Sequence, residues 1–473
     1  MSETRNPDER VVIIGMGVMA PTPNGYTVDG FWDDVTHDRH GFRLVPDLVG
    51  PFSNDIESRG GAILEPFDLQ ELLVRHNFSI GNEKEMRRNT KMSHKTAQGV
   101  VYAGAQALRQ ATVLDSDSLA INERVLKPVH FGNYQGTGVG GTLTLTEVQK
   151  LLEDRAAGLD RKHAEYAYSL LELLPGRVDE LSAKIFNAKG FNDTYATECA
   201  ASLSAFNEAT EHIRNGKGLV ALAGGVEMAC QPATIWAFEQ MKAVDTINDP
   251  MTIPRPFDES RKGLGFGEGV AEVVLARLDY VQWLQKMGHN VTVFAEVLGT
   301  GASSDADHDS FPSDEGPGRA LDEALADAGY RPSELYDTLV EAHEPGTAGG
   351  VKEINTITSR FKPNKLVGVV SIKSLIGHSF GAAGAFGIIS GVKSLTTNVV
   401  HPNRNLNNPI PETAGYPMVP NEAIKVRNIR FALINSFGFG GKNRVALLGK
   451  YLGLNRPSRA SKLRKIDLVE DYS

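Results

Sequence analysis

The chain has 473 residues, of which 41% are hydrophobic, so it can bury a large core and its length predicts about two to four domain-sized units. A formal net charge of −9 argues against a nucleic-acid-binding protein, although a local basic patch on one face stays compatible with that total. The polar first ten residues do not resemble a signal peptide, and no stretch approaches the roughly 18 apolar residues of a membrane span, so we expect a cytoplasmic protein.

Two glycine-rich segments in the first half imitate the dinucleotide-binding fingerprint. Residues 15–20 follow a predicted buried strand, but Pro21 and Pro23 stand where that fingerprint needs a helix. Residues 136–141 do precede a predicted helix at 143–153, yet a matching acidic strand end is missing. We therefore expect glycines packed against neighbouring backbone, and a nicotinamide-dependent oxidoreductase is the weaker alternative function.

The densest positive cluster of the first half lies just before an alanine-rich helical run that ends at Ala111. Its basic side chains are Arg87, Arg88, Lys91 and Lys95. They fit either an ordinary solvated helix start or a docking patch for an acidic partner, and the cluster alone leaves both interpretations open.

A β-prone segment beginning at Asn192 runs into a turn of small residues, and Cys199 stands where a helix begins. The helix is predicted from apolar residues at helical spacing and from a stop signal at its end: Leu203, Phe206 and Ile213, then Asn215-Gly216. Unpaired backbone N–H groups and the positive end of the helix dipole favour an anion at the sulfur. We therefore expect the pKa of Cys199 to be lowered and its thiolate to be reactive, the alternative being a buried structural cysteine.

The cysteine and histidine content excludes two other kinds of site. Two cysteines, Cys199 and Cys230, do not make a disulfide framework in a chain of this length. Twelve histidines occur without HExxH or CxxC spacing, so we expect no metal site.

The second half of the chain repeats the pattern of the first. A strand at residues 337–343 parallels the strand before Gly136, and a strand at residues 431–435 parallels the one that begins at Leu219. Residues 367–373 run into a glycine-rich helix start as the Cys199 strand does. Such a duplication of βαβ-rich halves would place Cys199 and His378 at corresponding helix starts, facing each other.

With Cys199, His343, Lys373 and His378 in this order before the loop at residues 435–441, the chain resembles the elongating β-ketoacyl-acyl-carrier-protein synthases. These are the ketosynthases of type II fatty acid or polyketide synthesis, and the resemblance covers nearly the whole chain. It implies a thiolase-like α/β fold in which two similar halves form five layers (αβαβα), usually as a dimer.

The resemblance also implies a role for each residue of the site. Cys199 would be the nucleophile that accepts the acyl chain, His343 and His378 would support decarboxylation, and Lys373 would order the two imidazoles. Backbone N–H groups of Cys199 and Phe439 would form an oxyanion hole. Substrate binding is expected at Thr347, Phe437, Phe439 and Gly440, and carrier-protein docking at Arg87, Arg88, Lys91 and Lys95.

The same resemblance gives the domain organisation and the partners. We expect one half at residues 1–285 with an elaborated segment near 149–183, a second half at 286–452 and a polar tail at 453–473. The expected partners are an acyl carrier protein and a second subunit, either an identical one or a related ketosynthase-like one, but no nucleic acid and no membrane. No cofactor is expected, because the substrates arrive on the phosphopantetheine of the carrier protein.

Two departures from the family pattern indicate a specialised member. Glu198 precedes the nucleophile where a small residue is usual, and its carboxylate would raise the thiol pKa unless it points away or finds a cation. In the stretch from His343 to Thr347, Pro345 offers no hydroxyl to pantetheine, and Gly350 stands where an acid is usual. A non-catalytic scaffolding subunit that pairs with an active ketosynthase is a further alternative, and it would show no acyl transfer to Cys199.

Overall fold

The computed structural model describes residues 9–45, 55–91, 93–140, 153–154, 156–158, 174–246, 249–308 and 311–453. Its strands are, in chain order, β1 (Val11–Met19), β2 (Phe42–Leu44), β3 (Gly60–Ala62), β4 (Phe131–Gly136), β5 (Asn192–Tyr195), β6 (Val220–Glu227), β7 (Phe266–Gly267), β8 (Gly269–Arg277), β9 (Ala295–Ser304), β10 (Thr338–Glu341), β11 (Leu366–Val370), β12 (Val399–Val400), β13 (Ile424–Lys425), β14 (Phe431–Gly438) and β15 (Lys442–Gly449). Its α-helices are α1 (Val28–Thr36), α2 (Leu69–Arg75), α3 (Glu83–Lys91), α4 (Lys95–Gln110), α5 (Arg177–Phe186), α6 (Ala201–Arg214), α7 (Pro232–Gln240), α8 (Leu278–Lys286), α9 (Gly316–Ala328), α10 (Gly350–Arg360), α11 (Lys373–Ile376) and α12 (Ala383–Thr397).

Ten of the strands form one sheet in the order β11-β10-β14-β15-β9-β1-β8-β6-β4-β5. The first half contributes β1, β4, β5, β6 and β8, and the second contributes β9, β10, β11, β14 and β15. From the middle of the sheet outward, the strands of each half follow the same order: the first in the chain, then the fifth, fourth, second and third. The first and fifth strands of each half pair antiparallel, and the second and third pair parallel. The two halves meet where β1 pairs antiparallel with β9. The predicted internal duplication is therefore confirmed.

The helices divide into three layers around the two halves of this sheet. Helices α6 and α12 lie between the halves, where Leu203 and Phe206 share one apolar cluster with Phe386 and Ile389. Helices α4, α5 and α8 cover the outer face of the first half, and α9 and α10 cover that of the second. Because helices cover both faces, inner strands such as β1 and β8 are buried along their whole length and are nearly continuously apolar. The result is the predicted five-layer α/β architecture.

Strand β1 extends to Met19, farther than the sequence predicted, and this places Gly15 and Gly17 inside a strand and not in a turn. A Cβ on Gly15 would lie 2.1 Å from the carbonyl oxygen of Ala107, and one on Gly17 would lie 1.9 Å from that of Ala103. These glycines let helix α4 pack directly on the strand. The segment therefore lacks the strand–turn–helix geometry of a dinucleotide site.

The second glycine-rich segment packs as expected against neighbouring backbone. A Cβ on Gly136, the last residue of β4, would lie 2.3 Å from the backbone nitrogen of Ser202 in helix α6. The predicted helix at residues 143–153 and most of the segment at 149–183 lie outside the described residues, and so does the tail beyond residue 453. Among the described helices, none combines the length and apolar character needed to cross a bilayer.

Candidate active site

Cys199 lies in the turn that joins strand β5 to helix α6. The turn is a short 3₁₀ helix, Glu198–Ala200, and helix α6 continues from it at Ala201. Glu198 has a φ of 49°, a left-handed backbone conformation that non-glycine residues rarely adopt. The Cys199 side chain is buried, with an exposed fraction of 5%. The predicted helix start at the cysteine is therefore confirmed.

The equivalent turn of the second half carries His378. Strand β11 leads into the short helix α11, and a 3₁₀ helix, Phe380–Ala382, then precedes helix α12. Phe380 has a φ of 36°, so the two turns share a left-handed residue at the corresponding position. Because helices α6 and α12 lie side by side between the halves, the two turns meet. His378 Nε2 is 3.0 Å from Cys199 Sγ.

His343 approaches the same place from the end of strand β10. Its ring lies 5.5 Å from the ring of His378, in an edge-to-face arrangement. The carboxylate of Glu353 on helix α10 fixes this loop, because it accepts hydrogen bonds of 2.8 Å from the backbone N–H groups of His343 and Glu344. The side-chain amide of Asn435 donates to the same carboxylate at 2.9 Å. No motif or spacing in the sequence indicates Glu353, whose role depends on the fold.

The electrostatics at Cys199 contradict the expectation of a lowered thiol pKa. Burial raises the pKa of the Cys199 thiol to about 12, and the carboxylates of Glu198 and Glu227 add to that rise. The ammonium of Lys373 acts in the opposite direction. The helix start is present as predicted, but burial is the largest influence on the thiol pKa, because a buried thiolate loses its hydration.

The other ionisable groups of the site are also shifted by burial. The pKa values of His343 and His378 are lowered well below their ordinary range, first by burial and then by the nearby Lys373. Both imidazoles are therefore neutral near pH 7, and each carries one N–H donor and one acceptor nitrogen. Burial likewise lowers the pKa of Lys373, while the carboxylates of Glu353 and Glu341 oppose this change.

A cavity of about 220 Å³ gives access to these groups. The residues of the predicted site that line it are Cys199, His343, His378, Thr347, Phe437 and Phe439. Lys373 and Gly440 are not among the lining residues, although Gly440 lies between Phe439 and Gly441, which are. Phe238 and Leu264 add an apolar wall next to the sulfur, a surface suited to an acyl chain.

The glycine loop after strand β14 lies directly against the nucleophile turn. Ser436 Oγ donates a hydrogen bond of 2.7 Å to the carbonyl oxygen of Cys199. A Cβ on Gly438 would lie 3.5 Å from the backbone nitrogen of Cys199 and 3.0 Å from the carbonyl oxygen of Thr197. The absence of a side chain at Gly438 thus lets the loop lie against the carbonyl group of Thr197, two residues before Cys199.

The carboxylate of Glu198 is paired with a cation. Lys442 Nζ donates to its two oxygens at 2.9 and 2.7 Å. The two residues are 244 positions apart in the sequence, so their pairing depends on the fold.

Two unusual residues near His343, Glu344 and Gly350, fit each other sterically. The Glu344 side chain is fully buried, and a Cβ on Gly350 would lie 2.0 Å from its carboxylate oxygen Oε2. Glu344 therefore occupies the space that a side chain at position 350 would need. Burial, together with the neighbouring Glu353, raises the pKa of Glu344 to about 8, while Arg261, with Nε 3.8 Å from Oε1, acts against that rise.

The predicted docking residues lie on a different part of the surface from this cavity. Arg87 and Arg88 are exposed on helix α3, and Lys95 begins helix α4. Arg87 and Lys95 border a groove between helices α2, α3 and α4, which Glu71 and Glu83 also border. Lys95 Nζ donates to the carbonyl oxygen of Phe67 at 2.8 Å. The backbone of Lys91 ends helix α3, but its side chain lies outside the described part of the structure.

Comparison with known proteins gives consistent matches over almost the entire chain. The family model described as "Beta-ketoacyl synthase, N-terminal domain" matches residues 8–280, and the corresponding C-terminal domain matches residues 294–407. The chain is 30% identical over 451 residues to the chloroplastic 3-oxoacyl-[acyl-carrier-protein] synthase I of Arabidopsis thaliana, covering 94% of this chain and 88% of that protein.

Two solved structures with the same fold cover 94% of this chain and 100% of their own. One is a β-ketoacyl synthase from Burkholderia phymatum, with a TM-score of 0.79 and 26% identity. The other is the ishigamide ketosynthase/chain length factor, with a TM-score of 0.78 and 26% identity.

Proposed function

Because this chain belongs to the β-ketoacyl synthase family, we propose that it is an acyltransferase that extends an acyl chain by decarboxylative Claisen condensation. The acyl chain is held on Cys199 and condenses with malonyl-acyl carrier protein, which lengthens a fatty acid or polyketide by two carbons. The observation that carries this proposal is the 3.0 Å contact between Cys199 Sγ and His378 Nε2, with the His343 ring beside them in one cavity.

The first half-reaction loads the enzyme. The sulfur of Cys199 attacks the carbonyl carbon of a carrier-bound acyl thioester, the carrier thiol leaves, and an acyl-cysteine thioester remains. Since burial raises the thiol pKa to about 12, the attack needs a base next to the sulfur. A neutral His378 has an acceptor nitrogen within 3.0 Å of the sulfur, takes the thiol proton and returns it to the leaving carrier thiolate.

The second half-reaction forms the carbon–carbon bond. The tautomer of His378 that carries its proton on Nε2 and an N–H of His343 donate to the thioester oxygen of the malonyl unit, where negative charge develops as carbon dioxide leaves. The carbanion attacks the acyl-Cys199 carbonyl, and Cys199 leaves as a thiolate that takes up one proton. Backbone N–H groups of Cys199 and Phe439 stabilise the oxyanion of this step, a role supported by the hydrogen bond from Ser436 to the Cys199 carbonyl, which holds the two segments together.

The remaining predicted residues support these steps. Lys373, buried behind the histidines and close enough to shift the pKa of both, orders the pair by its charge. Thr347, Phe437, Phe439 and Gly440 form the path for the pantetheine arm and the acyl chain. No cofactor takes part in this scheme, because the substrates bring their own phosphopantetheine.

The partners follow from the same scheme. An acyl carrier protein delivers both substrates and docks near Arg87, Arg88, Lys91 and Lys95. The protein works as a homodimer or as a heterodimer with a related ketosynthase-like subunit. The heterodimer is supported by the structural similarity to a protein named as a ketosynthase/chain length factor. A cytoplasmic location and the absence of nucleic-acid and membrane partners stay predictions from the sequence.

The test is acyl transfer to a defined cysteine. The protein is incubated with a panel of acyl-carrier-protein thioesters, and intact mass and peptide mapping then locate the acyl group. We expect acylation of Cys199 and an unmodified Cys230, because Cys199 lines the cavity that contains the two histidines and Cys230, also buried, is not among its lining residues. Acylation of Cys230, or no acyl transfer with any carrier thioester, would refute the proposal, and the second result would favour a scaffolding subunit.

A further inference from the structure

An ion pair joins the residue before Cys199 to the residue after the glycine loop. Glu198 precedes the cysteine, and Lys442 follows Gly441 as the first residue of strand β15. The ammonium donates to both carboxylate oxygens, at 2.9 and 2.7 Å, and the two side chains are 35% and 37% exposed. The pair is therefore reachable by water yet held in a defined geometry by two hydrogen bonds.

The pair is one of several contacts between the same two segments. Ser436 also donates a hydrogen bond to the Cys199 carbonyl, and Gly438 lies against the carbonyl group of Thr197. Glu198 keeps a φ of 49° in this turn, a left-handed conformation that surrounding contacts must maintain. The bond to Lys442 is a contact of this kind.

The charge of Glu198 also acts on the thiol. The ionisable groups around Cys199 in the described structure are Glu198 on its own turn, Glu227 at the end of strand β6, Lys373 on helix α11, His378 on the opposite turn and His343 in the same cavity. The carboxylates of Glu198 and Glu227 raise the pKa of Cys199, and Lys373 lowers it. A cation bound directly to Glu198 offsets the first of these effects.

We propose that Lys442 is a positioning residue that acts on Cys199 through Glu198: its ammonium, held at the end of the glycine loop, neutralises the carboxylate next to the cysteine. The inference rests on the proposed function only in taking Cys199 as the nucleophile. This role of Lys442 explains why an acidic residue can precede a reactive cysteine. The negative charge of Glu198 is balanced by a cation at the end of the glycine loop, which lies next to Cys199.

The test measures the reactivity of the Cys199 thiol without any enzymatic turnover. Cys199 is alkylated with iodoacetamide at several pH values from 7 to 9 in the wild type, Lys442→Met, Lys442→Arg, Glu198→Gln and the double variant Glu198→Gln/Lys442→Met. Peptide mapping separates Cys199 from Cys230, which serves as the internal reference for global unfolding. Below the thiol pKa the alkylation rate follows the thiolate fraction, so a shifted pKa appears as a proportional change in rate.

We expect Lys442→Met to slow Cys199 alkylation by about three- to tenfold at pH 8, since one partly screened charge is left uncompensated. Lys442→Arg keeps the charge and should stay within about twofold of the wild type. Glu198→Gln should not slow the reaction, and the double variant should recover most of the lost rate because the carboxylate is gone. A purely structural pair would instead leave the double variant as slow as Lys442→Met.

Equal alkylation rates in Lys442→Met and the wild type, or a double variant without recovery, would overturn the inference. The same variants are then exposed to acyl-carrier thioesters, so that failure of the inference and failure of the proposed function give different results. If alkylation changes as expected but no thioester acylates Cys199, the proposed function fails and the role of Lys442 stands. If the wild type is acylated and alkylation is unchanged in Lys442→Met, the opposite holds.

Discussion

The two imidazoles of the site make different contacts, and this difference separates their contributions to the two half-reactions. His378 touches the sulfur of Cys199 at 3.0 Å, and its ring stacks on Phe380 with a centroid distance of 4.7 Å. His343 is held through its backbone by Glu353, and its ring lies 5.7 Å from that of Phe437. In the proposed mechanism, His378 therefore acts in both half-reactions, whereas His343 acts in decarboxylation alone.

We expect His343→Ala to leave acylation of Cys199 nearly unchanged and to reduce malonyl decarboxylation about a hundredfold or more, the usual cost of one oxyanion donor. His378→Ala should reduce decarboxylation to a similar degree and should also slow acylation, because it removes the base next to the sulfur. Intact mass measures acylation and carbon dioxide release measures decarboxylation. His289→Ala, in the outer layer after helix α8, is the control and should change neither rate. Wild-type carbon dioxide release in either active-site variant would contradict the assignment.

The residues of the site differ in how far the sequence could predict them. Cys199, His343, Lys373 and His378 stand at motif positions, and the structure brings the cysteine and the two histidines into one cavity. Glu353 and Lys442 were missed because each is recognised only by what it contacts across the fold. The thiol pKa was predicted in the wrong direction, since a helix start can be read from the sequence but the loss of water around the sulfur cannot.

At the scale of single elements, the glycines of strand β1 serve the packing of helix α4 on the strand and do not form the dinucleotide site that their spacing suggests. The helix is buried on nearly all sides, with small residues toward the strand, and Gly15 and Gly17 complete this fit from the strand side. The sequence predicted both elements correctly. It underestimated the length of the strand, because a glycine in an isolated segment indicates a turn as readily as a site of close approach.

Gly17→Ala should therefore destabilise the protein. Its Cβ would lie 1.9 Å from the carbonyl oxygen of Ala103, so strand and helix must separate, at a cost of about 1 to 3 kcal/mol or more. Gly176→Ala is the matched control, because Gly176 has a φ of −64° and no heavy atom within 4 Å of its built Cβ. Denaturant unfolding measures the difference. A free energy of unfolding for Gly17→Ala equal to that of the control would show that β1 and α4 are not packed this closely.

At the scale of the whole molecule, the site exists because the chain contains the same unit twice. In each half, a left-handed residue stands just before the helix that packs between the halves, at Glu198 in one case and at Phe380 in the other. The pseudo-symmetric stacking of the halves brings these turns together, so the nucleophile comes from one half and both histidines come from the other. This part of the fold was predictable, because the repeated order of strands and helix starts is visible in the sequence before any contact is known.

Carrier-protein docking is the property of the whole molecule that charge can test most directly. Arg87 and Arg88 are exposed on helix α3, Lys95 follows on helix α4, and the chain carries a net charge of −9 that opposes an acidic partner elsewhere. Exposed charges at the edge of a docking surface mainly steer the encounter of the two proteins, over a screening length of about 8 Å at physiological ionic strength. Replacement of Arg87, Arg88, Lys91 and Lys95 by Glu should therefore lower the association rate and weaken its dependence on salt, while turnover at saturating carrier changes little.

The control makes the same change in net charge at exposed basic residues elsewhere. These residues are Lys286, Lys362, Lys425 and Arg427. Their replacement by Glu alters the long-range field by a comparable amount but leaves the α2–α4 groove intact, so the association rate should fall much less. Stopped-flow association at two salt concentrations gives both quantities. If the two four-fold reversals lower the rate and its salt dependence equally, net charge alone steers the carrier protein and the groove is an ordinary solvated surface. A loss confined to the first variant instead places the landing site at helix α3 and the start of helix α4.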